Sequence, residues 1–459
     1  MSKRRHHLDH AGSDWSLNSL QQDPMQIYRA KRDSMHRSVA SKYDILGFIS
    51  SGTYGRVYKA RCLQDGHLLY AIKKFKPDKE GDVVTYTGLR ERLNLILFKL
   101  NREIHHENIV ALKEVILEDK SIYMVFEYAE HDFLQLIHHH SQTSRTLISS
   151  PVLKSLVYQL INGLIYLHSC HILHRDLKPA NILITSEGVV KIGDLGLARL
   201  IYEPLQPLFA GDKVVVTIWY RAPELLMGAK HYTKAVDCWA VGCVIAELLS
   251  LRPIFKGEEA KLDSKKNVPF QRDQLIKIFE VMGTPDEKDW PGVVDLPEYH
   301  NMTRIDHFSN CLASWTKSRM KDAYDPLLYD LLRQFFIYDP ETRLTAKDAL
   351  QHKWFHTDIL PSRNAFEHAP TKEIPTPRNI TQDDSASSIS KPLLTASHQP
   401  AGGAVGGGRI AGGHMMSNTT GIQQHSKPGS SASFANMSMS GGHYAQGGGG
   451  AARKRTKLG

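Results

Sequence analysis

An α+β fold in two lobes is what this sequence predicts, a small β-rich N-lobe followed by a larger helical C-lobe, with a disordered tail after them. Three observations carry that expectation. Between residues 43 and 128, runs rich in aromatic and β-branched residues alternate with turn signals. From Pro151 onward, apolar residues recur every three or four positions, as in Leu153-Lys154-Ser155-Leu156-Val157-Tyr158-Gln159-Leu160. Near residue 360 the composition turns to Ser, Gly, His and Pro, with stretches such as Gly447-Gly448-Gly449-Gly450.

Taken in order, residues 1–40 form a polar N-terminal extension in which Met25 to Arg32 has the pattern of a short helix. Strands are expected at Tyr43 to Ile49, Gly55 to Arg61, Leu68 to Phe75 and Ser121 to Tyr128. Helices dominate from Pro151, and one folded unit spans 41–356. Residues 357–459 bring too little apolar surface to offset the entropy of ordering them, so a disordered Gly/Ser-rich tail with a basic end is expected there.

The apolar fraction of 41% is ordinary for a globular core. Five scattered cysteines form no CxxC pair, which argues against a disulfide framework or a zinc site and for a reducing compartment. Cys238 and Cys243 lie in an apolar helical pattern and read as core; His138-His139-His140 reads as a solvated loop, not a metal site. No apolar run is long enough to cross a bilayer, and the start lacks the apolar core of a secretory signal, so no membrane association is expected. The net charge of +9 is spread over basic ends, Lys3-Arg4-Arg5 and Arg453-Lys454-Arg455-Thr456-Lys457. The second cluster is similar to a nuclear-import signal. No aromatic residues interleave with these charges, so direct nucleic-acid binding is not expected.

The chemistry is concentrated in His174-Arg175-Asp176-Leu177-Lys178-Pro179-Ala180-Asn181 and, shortly after, Gly193-Asp194-Leu195-Gly196. Together they read as a phosphoryl-transfer site, which must place a nucleotide, a metal and an acceptor in line and neutralise charge. Asp176 supplies a carboxylate able to accept a hydroxyl proton, and Lys178 an ammonium to steady the transferring phosphate. Asn181 and Asp194 supply hard oxygens suited to Mg²⁺. Gly52-Thr53-Tyr54-Gly55 sits in a strand-turn-strand pattern where glycines let backbone N–H groups approach phosphates. Lys73 of Ala71-Ile72-Lys73 is placed to hold the α- and β-phosphates of ATP.

On these motifs the chain resembles a eukaryotic protein kinase over 41–356, in the serine/threonine form because of Lys178-Pro179-Ala180-Asn181. The resemblance implies that Phe126 is the gatekeeper, that Glu127, Tyr128 and Ala129 form the hinge, and that Asp132 faces the ribose. It also assigns Ile49, Ser50, Val57, Ala71 and Leu183 to the nucleotide pocket. Glu224 of Ala222-Pro223-Glu224 is expected to pair with Arg343, and Asp237 to hold the catalytic loop. Thr217-Ile218-Trp219-Tyr220-Arg221 is similar to the branch containing cyclin-dependent and mitogen-activated kinases. In that branch an N–H after the phosphosite has no partner, and proline has none to leave unsatisfied, so Ser-Pro and Thr-Pro substrates are implied.

Five residues before Thr217, where cyclin-dependent kinases usually carry a phosphothreonine, stands Asp212. Its single charge is a partial substitute for phosphate in organising Arg175, so activation need not depend on a kinase acting on this loop. With Glu130-His131-Asp132 and the insert from Lys256 to Lys266, this segment most resembles the cyclin-dependent kinases of the Mediator kinase module in their fungal form. That resemblance implies a C-type cyclin and other kinase-module subunits as partners, a nuclear location, and serines of the RNA polymerase II C-terminal repeat among the substrates.

Two places depart from the pattern. Ser50 stands for the first glycine of the phosphate loop, and Leu97 stands where the family carries the glutamate that pairs with Lys73. Spacing forward from Lys73 points instead to Glu91, and Glu103 matches a second acidic position. Either the segment Arg90 to Lys99 has diverged or its deduced sequence carries an error, which sequencing the transcript distinguishes. A kinase-fold scaffold with weak catalysis is the alternative reading, although a pure scaffold has no need of Lys73, Asp176, Asn181 and Asp194 together.

Overall fold

The computed structural model describes residues 38–51, 55–66, 68–75, 101–118, 121–201, 217–231, 233–260, 269–378 and 380–381. The expected helix at Met25 to Arg32, the segment Arg90 to Lys99 with Glu91 and Leu97, Asp212, and the tail from 382 onward lie outside them.

Five antiparallel strands form the N-lobe sheet: β1 (Tyr43–Ser51), β2 (Gly55–Cys62), β3 (Leu69–Phe75), β4 (Leu112–Glu118) and β5 (Ser121–Glu127), in the order β1-β2-β3-β5-β4. The sequence pattern yields four of these. The omitted β4, Leu112-Lys113-Glu114-Val115-Ile116-Leu117-Glu118, buries Ile116 but exposes Leu117, so charges and an exposed leucine blur its alternation. Side chains alternate across a strand, and here the two faces have different jobs. Tyr58, Ala60, Tyr70, Ile72, Tyr123 and Val125 pack with Tyr43 and Val39 into the lobe's own core. The intervening residues are left for the opposite face.

The C-lobe is built on two long helices, Ser150–Ser169 and Ala235–Ser250. The second is buried almost throughout, Cys238 and Cys243 included, and burial pushes the Cys238 thiol up to about 12, which suits inert packing. Before and after the first of these helices the chain forms short β-pieces. β6 (His131–Asp132) pairs with β8 (Ile182–Ile184), which pairs with β9 (Val190–Ile192). β7 (Ile172–Leu173) pairs with β10 (Arg199–Leu200). The residues between β7 and β8, and those just after β9, carry the motifs.

Two sequence expectations need correction. The ordered fold does not stop at 356: Ala365 and Phe366 are buried, Ala365 N–H donates to Gly188 O, and the Gln159 amide donates to the carbonyls of Ser362 and Arg363. Composition hid this because the apolar residues are few, while most of the hold is through backbone polar groups. His138-His139-His140 is also not a solvated loop. His140 is fully buried, with Nδ1 2.9 Å from Thr146 O and Nε2 3.2 Å from Glu373 O, and His139 Nε2 lies 2.7 Å from Lys372 O. These rings anchor the C-terminal segment to a π-helical turn, His139–Ser144.

Candidate active site

A cavity of about 210 Å³ lies against the second face of the sheet. Its roof follows from strand register. Val57 of β2 is opposite Lys73 of β3, Lys73 is opposite Met124 of β5, and Ala71 is opposite Phe126. All five face away from the aromatic core and line the cavity. Ile49 and Ser50 complete this side, and Glu127, Tyr128, Ala129, Leu183 and Ile192 continue the wall. A largely apolar slot suits a flat heteroaromatic ring.

Below it, the loop between β7 and β8 is held by one carboxylate. Asp237, buried in the helix Ala235–Ser250, accepts from the backbone N–H groups of His174 and Arg175, each at 2.9 Å, and from His168 Nε2 at 3.0 Å. Burial alone pushes its carboxyl up, but the His168 hydrogen bond and the His168 and His174 rings hold it below the usual carboxylate range. Arg175, at φ 66°, is thereby kept in the left-handed region, an unfavourable backbone state that persists where surroundings impose it. His174 Nε2 meets Gly193 O at 2.9 Å, so it carries the proton, and Nδ1 accepts from Asp176 N at 3.2 Å.

Asp176 then becomes the hub of a compact cluster. Lys178 Nζ lies 2.9 Å from its Oδ2, and Asn181 Nδ2 donates to the same oxygen at 2.9 Å and to its backbone carbonyl at 2.8 Å. Asn181 has spent its amide N–H groups on Asp176, which leaves Oδ1 as its donor atom for a cation. Asp194, also left-handed at φ 53°, receives Lys73 Nζ on Oδ1 at 2.7 Å. Desolvation pushes the Asp194 carboxyl up, but the Lys73 ammonium and its hydrogen bond, with His174 and Gly196 N–H, hold it below the ordinary range. It is therefore a carboxylate at neutral pH. One carboxylate and one amide oxygen match Mg²⁺, which binds few protein ligands and takes the rest from phosphate and water.

Of the residues singled out by sequence, Ile49, Ser50, Val57, Ala71, Lys73, Phe126, Glu127, Tyr128, Ala129, Leu183, Asn181 and Asp194 line the cavity. Asp176 and Lys178 join it through Asn181. Gly52 lies outside the described residues. Gly55 is not a wall residue, and a Cβ there would collide with the Lys74 carbonyl across the β2–β3 ladder. Asp132 caps the helix Phe133–His138 by accepting from Gln135 N at 2.7 Å and is ion-paired with Arg378, which itself lines the cavity.

Sequence reading missed Phe75, Asn101, Val110, Met124, Ile192 and Arg378. Period two counted back from Phe126 would have found Met124. Arg378, 246 residues along the chain from Asp132, carries no local signal.

The architectural pairs complete the picture. Glu224 and Arg343 form a bidentate pair at 2.7 and 2.9 Å, with both residues buried, and the Arg343 guanidinium lies 5.1 Å from the Trp239 ring centroid. No helix among the described residues is long and apolar enough to cross a membrane.

A family model described as protein kinase domain matches residues 43–355. A serine/threonine-protein kinase SSN3 of Aspergillus oryzae is 56% identical over 364 residues, 75% of this chain and 87% of the relative. The ssn3 kinase of Aspergillus terreus is 53% identical over 390 residues, 81% and 89% of the two chains. That of Coccidioides immitis is 55% identical over 361 residues, 75% and 77%. With the sheet face, catalytic loop and buried Glu224–Arg343 pair in place, the chain belongs to the protein kinase family and is an ATP-using serine/threonine kinase similar over three quarters or more of its length to fungal SSN3 kinases.

Proposed function

We propose that this chain is a cyclin-dependent, proline-directed serine/threonine kinase of the Mediator kinase module, which acts in the nucleus on the transcription machinery. Its acceptors are Ser-Pro and Thr-Pro sites such as those of the RNA polymerase II C-terminal repeat, and its partners are a C-type cyclin and the other module subunits. The observation that carries the catalytic part is the cluster of Asp176, Lys178 and Asn181 set beside the Lys73–Asp194 pair. The similarity to SSN3 kinases and the Thr217 to Arg221 motif support the branch.

In this reading Asp176 accepts the proton of the acceptor hydroxyl and Lys178 steadies the transferring phosphoryl group. Lys73 holds the α- and β-phosphates, with Ser50, Gly52 and Gly55 near the phosphate-binding turn. Asn181 Oδ1 and the Asp194 carboxylate hold Mg²⁺, which when bound neutralises phosphate charge. Adenine lies between Ile49, Val57, Ala71 and Leu183, next to gatekeeper Phe126 and the hinge at Glu127, Tyr128 and Ala129. Asp132 takes the ribose hydroxyls.

The test is phosphate transfer from ATP to a Ser-Pro repeat peptide, with and without a C-type cyclin, beside Asp176→Ala. Cyclin-dependent transfer that falls by about 10² to 10⁴ in the variant is expected. Normal cyclin binding without any transfer would replace this reading with a scaffold.

A further inference from the structure

The C-terminal segment reaches the nucleotide cavity itself. After the anchor on His139 and His140, Arg378 turns into the cavity wall and forms an ion pair with Asp132. Three residues later Thr381 pairs with the edge of the N-lobe sheet, where Phe48 N–H donates to Thr381 O at 2.9 Å and Thr381 N–H to Phe48 O at 3.3 Å. Gly47 allows the approach, since a Cβ there would run into the Ile380 side chain. The segment is therefore tied to β1 on one side of the cavity and to Asp132 on the other.

The two ends of the segment are held unequally. Asp132 Oδ1 is committed to the helix cap and Oδ2 to Arg378. Arg378 Nε is buried and finds no acceptor among the described residues, and neither Tyr128 Oη nor His131 Nδ1 nearby has a partner there. A buried donor without an acceptor costs free energy, so this cation sits in a place that only partly satisfies it. The backbone bridge to Phe48, by contrast, is complete in both directions. The arrangement is a strap with a firm end and a loosely satisfied one.

We propose that Arg378 is a specificity-determining residue that competes with the ribose of the nucleotide for Asp132, so that adenosine must displace its guanidinium while adenine need not. This rests on the reading that Asp132 faces the ribose. A guanidinium and a pair of sugar hydroxyls are alternative donors to one carboxylate oxygen, and the cavity wall holds Arg378 where the sugar would approach that oxygen. The strap sets the affinity for the whole nucleotide without touching the adenine slot.

Calorimetric titration of the 459-residue chain with adenosine and, separately, with adenine tests this. Arg378→Ala should bind adenosine about two- to fivefold tighter, the range expected for removing one competing ion pair, with adenine unchanged. Ile380→Asp, which disturbs the strap beside Gly47 and leaves Asp132 and Arg378 intact, should shift adenosine in the same direction. Weaker adenosine binding in Arg378→Ala would make the arginine a ligand instead of a competitor and overturn the proposal. Asp132→Asn, which keeps a side-chain oxygen for the helix cap, made on the Arg378→Ala background separates the two layers. If it weakens adenosine but Arg378→Ala alone has no effect, the ribose assignment stands and the strap is wrong. If it leaves adenosine unchanged, the assignment fails and the strap proposal falls with it.

Discussion

Buried carboxylates in this protein part company according to what each one accepts. Asp237 has three donors and stays ionised, so its contribution to stability is present above the unfolded carboxylate range and is lost as pH falls through its lower folded value. Glu247 has the opposite balance. Burial pushes its carboxyl up to about 7, and the Tyr220 hydroxyl, donating at 2.7 Å, pulls it back only in part. A folded value above the unfolded one favours folding at low pH, and that advantage disappears as pH rises through about 7. Glu247→Gln keeps an acceptor for Tyr220 without the charge. The difference in melting temperature, variant minus parent, should therefore grow between pH 5 and 8, corresponding to roughly 2 kcal/mol. A difference that does not change with pH would refute the assignment.

At the scale of elements, the site is assembled by pieces that bury charge in pairs. The activation segment ends in the short helix Pro223–Leu226, and Arg343, in the turn after the helix Pro326–Phe335, reaches back to it through Glu224. The guanidinium also donates to the carbonyls of Ile337, Tyr338 and Ala235, so the pair ties three segments together. Deleting one member strands the other charge away from water. Glu224→Ala should lower unfolding free energy by about 3–5 kcal/mol in urea titration. A loss under about 1 kcal/mol would mean the pair behaves like an exposed one.

For the whole molecule, residues 357–378 are part of the fold and not an appendage. Lys154, buried in the helix Ser150–Ser169, donates to Thr357 O at 2.7 Å, and its ammonium is held below the usual lysine range by burial. Gln159 in the same helix spends its amide on Gly188, Ser362 and Arg363. A chain ending at residue 356 would leave Lys154 without Thr357 O and the Gln159 amide with Gly188 O alone, and would lack the buried Ala365 and Phe366 altogether. Its melting temperature should fall by roughly 3–6 °C, as expected for losing about one buried aromatic side chain in a large domain. Equal melting of the two chains would show that the segment lies on the surface without stabilising it.

The sequence by itself determined the chemistry. Lys73, Asp176, Lys178, Asn181 and Asp194 stand in short motifs whose spacing implies their roles, and period two in β3 already places Ala71 and Lys73 on one face. It also determined the Glu224–Arg343 and Asp237 pairings through the family resemblance, because those residues sit in recognisable local patterns. Only the tertiary structure decided that β4 completes the sheet, that Gly55 serves the β2–β3 crossing, that His139 and His140 hold the C-terminal segment, and that Arg378 meets Asp132. The physical reason is that periodicity and motif spacing report the pattern within one segment, whereas these four depend on which other segment lies alongside, and several are made to backbone groups that every sequence shares.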